Sequence, residues 1–444
     1  MVTVKRKLFF SERFMHLCGD KSCEPISMTF TISVKGNIPF ERVRLTLDKL
    51  QEKHPSLRAR VKGNYIFFEE NGIPPIPLKI VERISDDTWK TEKEKFKTEP
   101  FNCEEGELLK VLWVRSEVIS EFVFKGLHVI LDWKSITVLI NEFFVLLNNP
   151  NKEIQPYLPI KSLDEFMQGE ALNFKQKILA NLYFEQWRIK EFLNSFNKKR
   201  PPYELYHLHY RISKDLTEKL TQISEKNGVP SIGSFFCILA LRIFKKHFQP
   251  ERTKRFAHIT IDSRRFFPSV KKDWLFQASS LIFPRIQIYD ETDIWEQARD
   301  FSEMLFERAY KMQVDKNHPI YKSGAHSVSY SFRKTVLVSE YIHRFIKSFT
   351  KLRLCVDEGH DFTFDNLGEQ LPLPKNTEFE MNDIFPVEVT MPWFNSTIFG
   401  FGYDYEGKIY FFFTANEYHI PREKMNTIAS EFLTTLEELA KNVN

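Results

Sequence analysis

The sequence predicts an α+β protein built from two lobes. Residues 28–35 alternate apolar and polar side chains, the period of a half-buried strand, and an amphipathic helix follows at residues 40–54. Residues 148–160 are rich in Pro and Asn and predict an exposed connector. The strand-then-helix order starts again at residue 206, which favours two lobes of similar construction.

The elements of the first half follow from the spacing of their apolar side chains. In the first strand, these side chains are Met28, Phe30, Ile32 and Val34. The next helix stops at His54, because the following Pro55 disfavours a helical residue before it. A strand over residues 121–131 then leads into an apolar helix over residues 135–147, for which Ser135 is the predicted N-cap.

The second half begins with a helix over residues 173–196 and a basic, Pro-containing break at residues 198–202. Strand 206–212 and a helix with apolar residues at three- and four-residue steps come next. A last helix begins at Pro421, a residue that suits the first helical position. We therefore expect an N-terminal lobe over residues 1–172 and a C-terminal lobe over residues 173–444.

Composition excludes several classes of function. The net charge of +4 is small and evenly spread, so a nucleic-acid groove is not expected. Forty-three Phe against 15 Gly indicates a core of bulky side chains and few Gly-rich phosphate loops. The five cysteines contain no CxxC pair, so we expect free thiols in a reducing compartment and no zinc site.

Neither a secretory signal nor a membrane span is expected. The N-terminal residues lack a long apolar stretch followed by small residues. The most apolar segment, residues 136–147, is interrupted by Asn141 and Glu142 and is shorter than the roughly 20 residues needed to cross a bilayer. A cytoplasmic protein is the resulting expectation.

The sharpest chemical feature is a His and an Asp four residues apart, His128 and Asp132, between a strand and a helix. A neutral imidazole accepts a proton from a nucleophile at physiological pH, and a nearby carboxylate fixes local geometry. The alternative is that His128 is an ordinary buried histidine and Asp132 caps the following helix. Taken alone, the spacing does not decide between these interpretations.

Other candidate sites are weaker. His207 and His209 face the same side of a strand, but no third ligand lies nearby in sequence, so a solvated strand face is favoured over a metal site. The sequence contains no GxSxG, P-loop or HExxH motif. The basic runs at residues 198–200 and 245–246, with Arg252, Lys254 and Arg255, could meet the phosphates of coenzyme A or the acidic face of a carrier protein, but such runs are more often solvated loops, and we assign them no role.

Five segments in order carry a resemblance that covers nearly the whole chain. They are the helix and HPSLR sequence at 40–61, LHVILDWKS at 127–135, YFEQW at 183–187, IDSRR at 261–265 and DNLG at 365–368. Together they resemble the condensation domains of nonribosomal peptide synthetases and their stand-alone relatives, the carrier-dependent and alcohol acyltransferases. In that superfamily the matching elements are HPxLR, HHxxxDG, an aromatic crossing helix, a strand-end Arg and SNLG.

The resemblance implies two chloramphenicol-acetyltransferase-like lobes in a V with a central tunnel. His128 matches the second His of HHxxxDG and would be the general base for the attacking hydroxyl or amine. Asp132 would be structural and would pair with an Arg of the other lobe, for which Arg264 is the best match and Arg265 the next. The tunnel residues it implies are Leu127, Trp133, Ser135, Asn366 and Gly368.

The implied reaction moves an acyl group from a coenzyme A or phosphopantetheine thioester to a small-molecule alcohol or amine. No permanently bound cofactor is required, since acyl-CoA or acyl-phosphopantetheine is the donor substrate. An acyl or peptidyl carrier protein is the protein partner that this chemistry implies.

Two positions depart from the motif. Leu127 replaces the first His, a change that points toward the acyltransferase branch. Trp133 replaces the Gly; an indole-bearing residue disfavours the positive backbone angles open to Gly and would occupy space beside the tunnel. Two alternatives therefore stay open: a free-standing condensation enzyme that forms an amide, and a non-catalytic module that binds a carrier domain or partner.

Overall fold

The computed structural model has two lobes, each built on a β-sheet. The residues it describes are 4–17, 25–69, 71–162, 173–175, 177–178, 181–182, 204–248, 250–251, 253–262, 264, 270–282, 285–310, 362–368, 373–390, 397–404 and 406–441.

The first lobe contains strands β1 (Val4–Lys7), β2 (Ser27–Lys35), β3 (Ala59–Lys62), β4 (Tyr65–Phe68), β5 (Leu78–Glu82), β6 (Leu109–Arg115) and β7 (Ile119–Leu127). Its helices are α1 (Phe10–Leu17), α2 (Phe40–Lys53), α3 (Thr88–Lys97) and α4 (Trp133–Asn148). Two short 3-10 helices lie at Pro55–Arg58 and Cys103–Glu105. Strands β1, β4 and β3 form a small antiparallel sheet, and β2, β7, β6 and β5 belong to the main sheet of the lobe.

The main sheet of the first lobe is covered on both faces. On one face, Phe30 of β2 stacks on Phe124 of β7, and Phe143 of α4 packs edge-on against Phe124. On the other face, Trp89 and Phe96 of α3 pack against apolar side chains of β6 and β7. The strand predicted over residues 28–35 is therefore confirmed as β2, but both of its faces are buried, including the polar one.

The second lobe contains strands β8 (Leu205–Arg211), β9 (Lys254–Asp262), β10 (Ser279–Ile282), β11 (Arg285–Gln287), β12 (Phe362–Asn366), β14 (Thr397–Tyr403) and β15 (Ile409–Asn416). Its helices are α5 (Lys214–Lys226), α6 (Ile232–Phe248), α7 (Ile294–Tyr310) and α8 (Arg422–Lys441). The strand order of the sheet is β10, β9, β12, β14, β15, β8, with β11 also paired to β9. Rings of Phe236, Phe399, Phe411 and Phe432 pack together in the core under the helices.

One strand of the second half belongs to the sheet of the first. Strand β13 (Glu380–Thr390) pairs antiparallel with β2, so the five described strands of that sheet run β13, β2, β7, β6, β5. The sequence division at residues 172 and 173 does not anticipate this exchange, because pairing between distant segments leaves no local pattern. Residue 172 lies outside the described residues, and the boundary stays a prediction.

The structure also bears on the expected end of α2, on the cysteines and on the expected absence of a membrane span. Helix α2 ends at Lys53, as predicted from Pro55. Cys103 and Cys237 are free thiols. In the part of the chain that the structure describes, no helix is long and apolar enough to span a bilayer. The YFEQW segment at 183–187 and Arg265 lie outside the described residues.

Candidate functional site

The predicted site lies in the turn between β7 and α4. Strand β7 ends at Leu127, so the predicted strand over residues 121–131 is too long by four residues. The chain then turns sharply, because the amides of Ile130 and Leu131 both donate to the Leu127 carbonyl. The amide of His128 donates to the Ile26 carbonyl at 2.9 Å, which ties the turn to the beginning of β2.

Asp132 caps the helix that follows. Its backbone is extended, and its Oδ1 accepts hydrogen bonds from the Ser135 amide and hydroxyl, both at 2.8 Å. This is the geometry of an N-cap residue that satisfies the amide three positions later. The prediction that Ser135 is the N-cap is wrong: α4 begins at Trp133, and Ser135 supplies the capped amide.

The imidazole of His128 has a defined tautomer. Its Nδ1 lies 2.7 Å from the Leu131 carbonyl oxygen. Because a carbonyl oxygen only accepts, Nδ1 carries the proton and Nε2 of the neutral ring has a free lone pair. Among the described residues, no group hydrogen-bonds to Nε2, and the residue is 8% exposed.

Burial also keeps this ring neutral. Desolvation lowers the pKa of His128 below its usual value and outweighs the opposing influence of the backbone hydrogen bonds and the Asp132 charge. At physiological pH the side chain is therefore an uncharged base. This is the protonation state that proton abstraction from a hydroxyl or amine requires.

Asp132 and Arg264 form a two-pronged ion pair between the lobes. Arg264 Nη1 donates to Asp132 Oδ2 at 2.8 Å, and Nη2 donates to Oδ1 at 2.9 Å. Both side chains are about 1% exposed, and the Ala278 amide donates to Oδ2 at 3.0 Å. Parallel N–H···O bonds between charged groups fix orientation as well as distance.

Both members of this pair stay charged. Burial opposes ionisation of Asp132, but the charge and hydrogen bonds of Arg264 and Ser135 outweigh it, so the pKa of Asp132 lies below its usual value. Burial likewise opposes the charge on Arg264, and the carboxylates of Asp132 and Asp262 raise the pKa of Arg264 above its usual value.

Arg264 also holds a segment of its own lobe against the first. Its Nη2, which also bonds to Asp132, lies 2.9 Å from the Phe276 carbonyl oxygen and from the Ser135 hydroxyl and 3.1 Å from the Trp274 carbonyl oxygen, so its two hydrogens are shared among these acceptors. Between Trp274 and Phe276, Leu275 is buried in the core of the first lobe, and its carbonyl accepts from the Ser56 hydroxyl. The turn that carries His128 is thus fixed from both lobes.

The HPxLR match contributes to the same interface. The buried ring of His54 contacts Glu142 of α4 through Nε2 at 2.6 Å and packs edge-on to Tyr157. The Tyr157 hydroxyl in turn donates to Asp273 of the second lobe. This motif therefore connects elements of the two lobes.

Trp133 has an ordinary helical conformation. Among the described non-glycine residues only Asn376 has a positive φ, so the expected difficulty of placing Trp where the motif has Gly does not arise. The indole N–H donates to the Leu367 carbonyl of the second lobe. Its ring packs with Ile398, Tyr410 and Phe412, three residues that sequence reasoning missed.

The remaining predicted tunnel residues separate into two groups. Leu127 and Ser135 are fully buried, the first in the apolar core and the second between Asp132 and Arg264, and their part in lining a tunnel stays a prediction. Asn366 and Gly368 form a turn after β12, in which Asn366 Oδ1 accepts from the Gly368 amide at 3.0 Å. Gly368 has a φ of +68°, which favours glycine there. Their part in a tunnel stays a prediction.

His207 and His209 lie beside a carboxylate that is distant in sequence. Their rings stack at 6.2 Å, and His209 Nε2 is 3.6 Å from Glu388 Oε1 of β13. The oxygens of Glu388 already contact Lys93 and Lys97, at 2.5 and 2.7 Å. In the described ranges, no three His, Cys, Asp or Glu side chains are arranged to hold a metal ion.

Comparison with known proteins identifies the fold. No protein-family profile and no curated protein sequence matches the chain. Solved structures do match: the trichothecene 15-O-acetyltransferase TRI3 from Fusarium sporotrichioides is 10% identical, with a TM-score of 0.69 over 98% of this chain and 94% of that one. The condensation domain of the monacolin K polyketide synthase MokA is 10% identical, with a TM-score of 0.67 over 100% and 98%. Polyketide synthase associated protein 5 from Mycobacterium tuberculosis is 14% identical, with a TM-score of 0.64 over 98% of each chain.

These similarities extend over the whole chain and confirm the predicted fold. The chain has the two-lobed α+β architecture shared by condensation domains and chloramphenicol-acetyltransferase-like enzymes. At such low identity the similarity concerns the fold, and function has to be argued from the site.

Proposed function

We propose that the protein is an acyltransferase that moves an acyl group from a coenzyme A or carrier-protein thioester to an alcohol or amine, with His128 as the general base. The observation that carries this proposal is the neutral, tautomer-fixed imidazole in a turn held by both lobes. The shared fold supports it, because the proteins with this fold include an O-acetyltransferase and condensation domains.

The proposed reaction uses the lone pair on Nε2. His128 takes the proton of the acceptor hydroxyl or amine as the oxygen or nitrogen attacks the thioester carbonyl. The C–S bond of the tetrahedral intermediate then breaks, and the proton passes from the imidazolium to the departing sulfur. The products are an ester or amide and a free thiol. No redox partner is required.

Positioning is expected to supply much of the rate. Holding two reactants together contributes roughly 7–11 kcal/mol, whereas general-base assistance typically contributes about 10²–10⁴-fold. We assign Asp132 and Arg264 to the positioning of the His128 turn, since neither has a side-chain atom free to meet a substrate. Residual activity is therefore expected without the imidazole.

A carrier protein is the proposed macromolecular donor. Several proteins with this fold are parts of peptide or polyketide synthetases, including the condensation domain of MokA and the nonribosomal peptide synthetase FmoA3. Coenzyme A has the same phosphopantetheine arm, so both donors present the same thioester to the site. An amine acceptor would make this protein a free-standing amide-forming condensation enzyme.

The experiment is incubation of the purified protein with candidate acyl-CoA and acyl-carrier thioesters and a mixture of alcohols and amines. Free thiol is measured and products are identified by mass spectrometry. We expect thiol release that depends on an acceptor, and a loss of at least about 100-fold in His128→Ala. His247→Ala is the matched control, because that histidine pairs with Glu431 on the second lobe. Binding of thioesters without turnover would instead assign the chain to a non-catalytic carrier-binding module.

A further inference from the structure

The indole of Trp133 lies where the start of α4 meets the sheet of the second lobe. It projects from the residue next to Asp132 and contacts a cluster made of Leu367, Ile398, Tyr410 and Phe412. The ring centroids of Trp133 and Tyr410 are 6.4 Å apart. This contact therefore joins the start of α4, one residue after Asp132, to the sheet of the second lobe.

Two glycines shape the surface that the indole meets. Gly400 and Gly402 of β14 lie directly opposite Phe412 and Tyr410 of β15. A β-carbon on Gly402 would lie 2.9 Å from the Tyr410 hydroxyl, and one on Gly400 would lie less than 3 Å from the Phe412 ring. Because only hydrogen occupies these positions, the two aromatic rings lie across the neighbouring strand. We call these two rings the aromatic floor.

The indole is also held in place by its polar atom. Its N–H donates to the carbonyl of Leu367, whose own amide donates to Phe401 at 2.9 Å. The next carbonyl, that of Gly368, accepts from the Tyr403 amide at 3.1 Å. The acceptor is therefore fixed by β14, and moving the indole away would break this hydrogen bond.

We propose that Trp133 is a specificity-determining residue that limits the width of the substrate group reaching His128 along the second sheet. In this proposal its bulk beside the aromatic floor admits slender, unbranched groups and excludes branched or aromatic ones. This inference rests on the proposed acyltransferase function. It assigns a role to Trp133, which stands where the HHxxxDG motif has Gly.

The test compares wild type with Trp133→Gly and Trp133→Phe. Two substrate series are used: straight-chain, branched and aromatic acyl thioesters with one acceptor, and linear and branched acceptors with one thioester. In Trp133→Gly we expect kcat/KM for the wide substrates to rise relative to the slender ones by at least about 10-fold in one series, which identifies the restricted side. Trp133→Phe retains an aromatic ring without the N–H, so its ratios are expected to stay within about threefold of wild type.

Unchanged ratios in both series would overturn the inference. Trp89→Phe is the matched control, because Trp89 packs against Phe385 on the α3 side of the first sheet. If Trp133→Gly does not fold, Trp133→Leu is measured in its place. If wild type releases no thiol, the proposed function fails. The width limit is then tested without turnover, by measuring affinities for CoA thioethers that carry the same acyl groups. Equal selectivity of wild type and Trp133→Gly for these thioethers would reject the width limit.

Discussion

Arg264 donates two hydrogen bonds to Asp132, of 2.8 and 2.9 Å, although the two residues are 132 positions apart along the chain. The carboxylate that receives them also caps the helix after the His128 turn. The Arg264 side chain therefore links the start of α4 to the second lobe. The geometry of the predicted base depends on a contact between lobes.

Removing one partner of this pair is expected to be severe. Arg264→Ala leaves a buried, charged Asp132, and we expect a loss of about 3–5 kcal/mol in the free energy of unfolding. Urea denaturation provides the measurement. The control is Lys219→Ala, which removes an exposed pair with Asp215 and is expected to lose less than about 1 kcal/mol.

The double variant makes this prediction specific. Arg264→Ala combined with Asp132→Ala removes both charges, so the combined loss is expected to be smaller than the sum of the two single losses. Additive losses would show that the ion pair has no energetic coupling and would contradict the account of the interface.

Stability is expected to fall in acid through Asp132. The folded-state pKa of this carboxyl is below its usual value, so the unfolded chain binds the proton more tightly than the folded one. The stability it contributes is present above the unfolded pKa, near 3.8, and is lost as pH falls through the folded value. Urea midpoints measured from about pH 6 down to about pH 3 should fall less steeply in Asp132→Asn than in wild type. Parallel curves would exclude Asp132 as a source of the acid sensitivity.

The aromatic floor gives a packing prediction. Gly400→Ala introduces a methyl group against the Phe412 ring, and overpacking of this kind costs about 1–3 kcal/mol in the free energy of unfolding. Gly400→Ala combined with Phe412→Leu should recover part of that loss, because the smaller side chain makes room for the methyl group. The packing would be contradicted if the double variant lost more free energy of unfolding than Gly400→Ala and at least as much as the two single variants together.

Activity should have an acidic limit below the usual histidine pKa. Burial lowers the pKa of His128 below 6.5, so the imidazole stays neutral at pH values where an exposed histidine is already protonated. The acidic limb of kcat/KM against pH is therefore expected below 6.5 and is expected to disappear in His128→Ala. A limb at or above 6.5 would be inconsistent with a desolvated base at position 128.

The sequence predicts the parts of this site better than their arrangement. The HxxxD spacing draws attention to His128 and Asp132, and the resemblance gives them their proposed roles and supplies Arg264 as the partner of Asp132. Local periodicity alone could not pair Asp132 with Arg264, because their contact depends on how the lobes pack. The same reason explains why strand β13 was not assigned to the first sheet: Glu380–Thr390 has a partner in β2, hundreds of residues earlier.

The misplaced predictions have local causes. Ser135 has the chemistry of an N-cap, but Asp132 offers a stronger acceptor three residues earlier, so the helix begins at Trp133. The expected difficulty at Trp133 rests on the positive backbone angles open to the Gly of the motif, whereas the helical position of Trp133 does not require them. Its contacts with Tyr410 and Phe412 come from the distant strand β15, which no signal near residue 133 indicates.

The most direct test of the central claim separates substrate binding from chemistry in His128→Ala. Affinity for an acyl thioester and the rate of acceptor-dependent thiol release are measured side by side in wild type, His128→Ala and His247→Ala. We expect nearly unchanged thioester affinity in all three and a rate at least about 100-fold lower in His128→Ala alone. Equal rates of thiol release in wild type and His128→Ala would show that the imidazole at position 128 takes no part in the reaction.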